Sequence, residues 1–278
     1  MSTIQAIVLG LVQGLTEFIP ISSTAHLRIV PALLGWPDPG AAASAVIQIG
    51  TLLAVIIYFW RDLIRMSVAF VRGIVRLKPF EEHDARLAWY IIAGTVPVGI
   101  LGVVLKDFIE TTARSLWIVS GSLILLALLL VVAEGFSARS GAYRGVGDVR
   151  FVDAILIGLG QALALIPGMS RSGSTIMTGL FRRFSHEAAA RFSFLLSIPA
   201  IGAAGVFELL AEWEHLERIG WGPIAIATVV SFVSGWASIW FLLRYLRTHT
   251  TSIFIYYRIV LGVIIIALLG TGVLAPFE

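Results

Sequence analysis

The sequence predicts an all-α integral membrane protein made of two inverted-topology repeats, each a re-entrant helical hairpin followed by three transmembrane helices. Three observations carry that expectation. The 278-residue chain is 58% hydrophobic and only 13% charged, against about 45–50% and 25% for soluble domains. Six of its stretches are long and apolar enough to cross a hydrocarbon core of about 30 Å. Two further apolar stretches are broken at their centres, and these two resemble each other.

The expected spans are Ser44–Trp60, Leu87–Leu105, Leu116–Ala133, Phe192–Leu209, Gly222–Leu243 and Ser252–Leu269. Ile4–Leu34 is interrupted by Pro20-Ile-Ser-Ser23, and Ala154–Phe181 by Pro167-Gly-Met-Ser-Arg-Ser-Gly-Ser174, so neither half of either stretch can cross alone. Non-helical backbone is tolerated at membrane depth only where protein buries it or where it lines a cavity, which makes both stretches re-entrant hairpins. Ala6–Gln13 (AIVLGLVQ) matches Ala154–Gln161 (AILIGLGQ). After a slip of one residue, Ile19-Pro20 and Ser23 fall on Ile166-Pro167 and Ser170. A weaker echo links Trp117–Gly121 with Arg258–Gly262. The first repeat is therefore expected over residues 1–135 with its hairpin at 4–35, a cytoplasmic linker over 136–153, and the second repeat over 154–278 with its hairpin at 154–181, all in one membrane domain. An odd number of spans per repeat inverts the second half.

Orientation follows from basic residues in the loops. Arg61–Arg86 holds six Lys/Arg, Arg139–Arg150 three and Arg182–Arg191 three, and Arg244 and Arg247 flank Thr248–Thr251. Glu208–Arg218 holds four Glu and one Arg. Basic loops in the cytoplasm put the acidic loop and both termini outside, and the two hairpins then enter from opposite faces with tips that meet near mid-membrane. The net charge of +3 is small and scattered, which argues against nucleic acid. With no cysteine, disulfides, thiolate catalysis and Cys metal sites are excluded. MSTIQAIVLG lacks a basic start and an A-x-A site, so it does not read as a removable signal peptide.

Polar residues inside apolar segments are expensive and are functional candidates by default. In the first broken segment, Gln13 and Glu17 stand at i, i+4 and share a helix face; Ser23 and His26, at i, i+3, share another. A base thus lies beside a nucleophile, with a carboxylate on the preceding half-helix free to hold a divalent cation or a proton. In the second, Arg171 sits among Ser170, Ser172, Ser174 and Thr175 at the start of a half-helix. That suits a phosphate: the guanidinium offers a two-pronged donor, and hydroxyls and helix-start N–H groups add more.

Each of these residues also has a plainer reading. Glu17 could be only a counterion for Arg171, and His26 only a donor to a carbonyl. Gln161, the repeat partner of Gln13, reads as a packing amide. Ser22 suits a helix cap, which leaves Ser23 as the better nucleophile. Ser172 and Ser174 are as compatible with small packing residues as with donors. Arg28 and Arg258 read as side chains that snorkel to an interface. No GxSxG elbow, Walker loop, HExxH or dinucleotide fingerprint is present.

QGLTEFIPISSTAH (Gln13–His26) and PGMSRSGST (Pro167–Thr175), together with AVIQIGTLLAVIIYFW (Ala45–Trp60), resemble the signature regions of the undecaprenyl-diphosphate phosphatase family, also called the bacitracin-resistance protein family. The resemblance covers the whole chain. It implies a bacterial inner-membrane enzyme that removes the terminal phosphate of undecaprenyl diphosphate, a lipid substrate, and so returns the carrier to peptidoglycan synthesis. It further implies catalysis by Glu17, Ser23, His26 and Arg171, with Glu17 and Gln13 at a divalent cation, Mg2+ or Ca2+. Gln13, Ser22, Ser170, Ser172, Ser174 and Thr175 would contact substrate. The family places either Glu or Gln at position 13; a neutral amide cannot act as a base, so here Glu17 carries the acid chemistry alone. The site is expected to be reached from the exterior side. A homo-oligomer stays open, as does the choice between a phosphorylated Ser23 and a positioned water. The rival is a transporter or flippase of a polyprenyl phosphate, since inverted repeats around a midplane site also serve alternating access. A structural scaffold would leave Glu17, His26 and Arg171 unexplained.

Overall fold

A computed structural model describes residues 1–38, 40–139 and 143–277; residues 140–142 of the expected linker lie outside the described residues. In chain order the helices are α1 (Thr3–Glu17), α2 (Ser23–Leu34), α3 (Gly40–Tyr58), α4 (Trp60–Val75), α5 (His83–Val104), α6 (Lys106–Glu110), α7 (Leu116–Ala138), α8 (Phe151–Ala162), α9 (Arg171–Phe181), α10 (His186–Ala211), α11 (Trp213–Ile219), α12 (Trp221–Tyr245) and α13 (Ser252–Gly270). No strand occurs among the described residues. Five helices, α5, α7, α10, α12 and α13, are long and apolar enough to span a bilayer. The chain is a multi-pass membrane protein by this measure. A sixth candidate is α3 with α4, but the two are bent by 77° at Phe59.

Both broken segments form half-helices. At 1.5 Å per residue, α1, α2, α8 and α9 are each no longer than about 23 Å, short of the hydrocarbon core. The breaks are built alike. Ser22 caps α2 by accepting the Ala25 N–H, and Ser170 caps α9 by accepting the Gly173 N–H. Both caps sit in the left-handed region, at φ 75° and 58°, where a side chain strains the backbone. Cap matches cap, so the register differs from the expected one: Ser22, not Ser23, is the counterpart of Ser170. One constant offset then links Ala6, Gly10, Gln13 and Ser22 to Ala154, Gly158, Gln161 and Ser170.

The leading half-helix of each hairpin is buried against the other half of the chain. α1 lies on α12 and α8 on α5. Contact is backbone to backbone, which only glycine permits: a Cβ on Gly158 would come within 2.1 Å of the Gly94 carbonyl oxygen, and one on Gly10 within 2.5 Å of that of Ala227. Van der Waals contact at such small residues is what holds helices together where both sides are apolar.

One arginine overturns the interfacial reading. Arg258 on α13 is fully buried. Its guanidinium donates to the carbonyls of Pro20 (3.2 Å) in the first break and Gly168 (2.8 Å) in the second, and to Leu123 (3.1 Å) and Ser122 (3.3 Å) on α7. It satisfies carbonyls that each break frees, and it ties the two tips together. Arg28 is also buried, with Nε 3.5 Å from Asp38, which accepts two bonds of 2.6 Å from Arg114. A second carboxylate, Asp153 at the foot of α8, is held by Arg144 and by Arg182 at 2.7 Å. Finally, the stretch expected as the loop Arg61–Arg86 is largely helix, because α4 occupies most of it.

Candidate active site

Glu17, the last residue of α1, points across the break, and its carboxylate joins both hairpins. Oε1 accepts from Arg171 Nη2 at 2.5 Å, while Oε2 accepts from the Ser23 hydroxyl at 2.5 Å and from Gln13 Nε2 at 2.8 Å. Glu17, Ser23, Gln13 and Arg171 are therefore one cluster, assembled from residues about 150 positions apart. The carboxylate is buried, with a side-chain exposure of 4%. A charge withdrawn from water in this way persists only when paired and hydrogen-bonded, and both conditions hold.

The cluster opens on a cavity of about 160 Å³ lined by Glu17, Ser22, Ser23, Gln48, Ser170 and Arg171, with Val98, Ala200 and Ala204 among its apolar wall. Four polar atoms at or beside it are buried and have no hydrogen-bond partner among the described residues: Arg171 Nη1, Gln13 Oε1, and both Nε2 and Oε1 of Gln161. Buried groups of this kind are costly unless something else satisfies them. The first is a donor suited to an anion, and the second is an acceptor suited to a cation or donor.

Other expected contacts fall elsewhere. Ser172 donates to the Ile19 carbonyl, Ser174 to that of Met169, and Thr175 to that of Arg171 while also meeting Ser193 at 2.6 Å. These three hydroxyls bind backbone and brace the turn; the structure does not bring them to the cavity. Ser22 and Ser170 do line it, as caps. Among the described residues no hydrogen bond joins His26 to the Ser23 hydroxyl. Its Nδ1 donates to the Ser22 carbonyl at 2.7 Å, so in the neutral ring Nε2 accepts from the Tyr257 hydroxyl, also at 2.7 Å. The i, i+3 spacing put Ser23 and His26 on one face, but α13 claims the imidazole. The Ser23 hydroxyl donates instead to Glu17 Oε2.

Three contributors escaped the reading of the sequence. Thr51 lies 3.5 Å from Gln13 Nε2, Gln48 lines the cavity, and Tyr257 holds His26. Gln48 and Thr51 are polar residues within an apolar helix, the same signal that singled out Glu17.

The fold and the site define a class: a multi-pass membrane protein with a buried acid, a hydroxyl and an arginine facing a shared cavity between two half-helix tips. Within that class, the chain matches the family model described as bacitracin resistance protein BacA over residues 6–264. It is 57% identical over 278 residues to the undecaprenyl-diphosphatase of Myxococcus xanthus, covering 100% of this chain and 93% of that one. Identity is 56% over 283 residues to the undecaprenyl-diphosphatase of Chloroherpeton thalassium, covering 100% of both, and 53% over 282 residues to that of Chlorobaculum tepidum, covering 99% and 100%. The chain belongs to the bacitracin-resistance protein family.

Proposed function

We propose that the protein hydrolyses undecaprenyl diphosphate to undecaprenyl phosphate and inorganic phosphate, recycling the lipid carrier for cell-envelope synthesis and conferring bacitracin resistance. The observation that carries this reading is the Glu17 carboxylate, which binds the Ser23 hydroxyl with one oxygen and Arg171 with the other. Arg171 Nη1 remains to take an oxygen of the terminal phosphate. The Ser23 oxygen attacks the terminal phosphorus as its proton passes to Glu17. The bond to the bridging oxygen breaks, and undecaprenyl phosphate leaves. The departing undecaprenyl phosphate carries off the proton held by Glu17, which is again a carboxylate. Water then attacks the phosphoserine as Glu17 takes its proton, and the bond from phosphorus to the Ser23 oxygen breaks. Glu17 returns that proton to Ser23, and phosphate leaves. Arg171 neutralises charge as it builds on the transferred group.

A divalent cation fits only in part. Among the described residues no group of three or more His, Cys, Asp or Glu lies together, but Glu17 and the unpartnered Gln13 Oε1 are hard oxygen donors of the sort Mg2+ and Ca2+ take. These two residues would hold the ion. When bound it supplies further positive charge at the phosphate oxygens.

The inverted-repeat architecture has independent support. The constant offset pairs α1 with α8 and α2 with α9, and α1 rests on α12 as α8 rests on α5. The remaining equivalents, α3 with α10 and α7 with α13, pack on one another, as a two-fold relation requires. On this reading α3 is the sixth span. Val98, Ala200 and Ala204 lie past the midpoints of α5 and α10, toward the acidic Glu208–Arg218 end. With basic segments in the cytoplasm and the chain in the inner membrane, that end is exterior, and the cavity belongs to the exterior half.

Phosphate release from undecaprenyl diphosphate by the purified protein in detergent tests the hydrolysis, since detergent has no compartments for a transporter to use. Release that Glu17→Gln abolishes is expected; no release from folded wild-type protein would favour transport.

A further inference from the structure

The segment from Trp60 to Val75 takes no part in the site, yet its surface is ordered in three stripes. At about 100° per residue, Met66, Ala69 and Gly73 fall on one side, and all three are buried. Trp60, Ile64, Val68, Val71 and Val75 occupy an arc of about 80° opposite them, and all five are exposed. Arg61, Arg65, Arg72 and Arg76 share an arc of about 60° between the two, and they are exposed too.

The bend gives these stripes a direction. α4 leaves α3 at 77°, so if α3 runs along the membrane normal, α4 runs nearly in the membrane plane. Its buried side faces α5, its apolar side faces lipid, and the arginine stripe points along the normal toward the headgroups. A helix with an apolar face, a basic face and little net hydrophobicity lies in the interface rather than across the bilayer. The opposing carboxylates are few. Asp62 pairs with Arg65 and Arg191, and Glu82 with Arg72 at 3.3 Å. Asp62 is half-buried, whereas the Arg72–Glu82 pair is exposed, and surface pairs of that sort contribute little. Guanidinium binds phosphate oxygens in pairs.

We propose that α4 is a lipid-binding element that lies in the membrane–water interface and gathers anionic phospholipid headgroups along Arg61, Arg65, Arg72 and Arg76. The apolar stripe fixes its depth, and the arginines select the charge of the lipid. The proposal stands apart from the hydrolysis, because none of these residues lines the catalytic cavity.

The chain has no cysteine, so single spin labels at Val68→Cys and Arg65→Cys report depth directly in nanodiscs of phosphatidylcholine. The label at 68 should be relaxed mainly by oxygen and the label at 65 mainly by an aqueous nickel chelate. Equal relaxation of both labels by oxygen, or of both by nickel, would overturn the in-plane placement. In nanodiscs of phosphatidylcholine and phosphatidylglycerol in equal parts, amide exchange over residues 61–76 should slow by roughly tenfold relative to phosphatidylcholine alone. That slowing should vanish in the R61Q/R65Q/R72Q/R76Q variant while phosphate release in detergent persists. If the fourfold variant fails to fold, R61Q/R65Q and R72Q/R76Q serve separately, each losing part of the effect. The same slowing in the variants, or none in the wild type, sinks the assignment of anionic lipid.

Discussion

The two half-helix tips share a backbone and differ in chemistry. Each turns through a serine cap with positive φ, and each meets the same guanidinium through a carbonyl of its break. At the cap, then, they are copies. One residue beyond it the first carries Ser23 and the second Arg171, and where the first ends its helix in Glu17 the second, at the same offset, has Leu165. On the proposed mechanism the first tip handles a proton and a nucleophile, and the second handles an anion. On the inverted-repeat reading, a shared scaffold supplies the position, and a few differences between the two tips supply the difference in proposed role.

The comparison can be broken at several points. The largest effect is expected for Glu17→Gln, which keeps the shape but removes the base from Ser23 and the counterion from Arg171. General-base loss alone is worth about 10²–10⁴, so phosphate release should drop by about 10³ or more while circular dichroism stays native. Near-normal turnover would return Glu17 to a structural role. Next comes Arg171→Lys, which preserves the charge but not the fork. A loss of about 10²–10³, mainly in kcat, is expected. An unchanged kcat would assign the phosphate to other groups.

Arg258→Gln should act on both tips together. It strands buried carbonyls, each at a cost of about 1–3 kcal/mol, so the melting temperature in detergent and kcat should fall in parallel. A drop in kcat with no change in melting would mean that Arg258 meets substrate rather than backbone. His26→Asn gives the smallest expected loss of activity. The imidazole is spent on the Ser22 carbonyl and on Tyr257, so release should fall by about tenfold at most, well under the effect of a lost general base. A loss as large as that of Glu17→Gln would restore His26 as the base. Topology can be checked without touching activity. A cysteine at Glu214 should react with an impermeant reagent from outside, and one at Arg76 should not; the reverse labelling inverts the assigned orientation.

The residues that could be read from sequence were those whose polarity conflicted with their surroundings. Glu17, Ser23 and Arg171 stood out because a bilayer makes each expensive, and the breaks at Pro20 and Pro167 showed where half-helices end. What escaped was set by partners remote in the chain. Arg258 resembled an interfacial side chain because its acceptors are carbonyls, which every residue has and no motif records. The pairing of Ser23 with His26 followed from helical spacing, but Tyr257 competes for the ring from 231 positions away. The repeat register misled by one residue, since prolines were aligned where the caps are the equivalent points. α4 looked like a loop because its charges were counted and its stripes were not.

Arg258 also sets the tolerance of the site. Catalysis loses about a hundredfold for a 1 Å misplacement, and Glu17 and Arg171 belong to hairpins whose connection through the chain runs across many helices, each adding its own positional error. The guanidinium closes a far shorter loop: one side chain reaches the Pro20 and Gly168 carbonyls at 3.2 and 2.8 Å. The spacing between acid and anion site is thereby referred to a single rigid plane. On the proposed mechanism, spans at the periphery can then tilt with bilayer thickness while the gap that the phosphoryl group crosses is held by this one side chain.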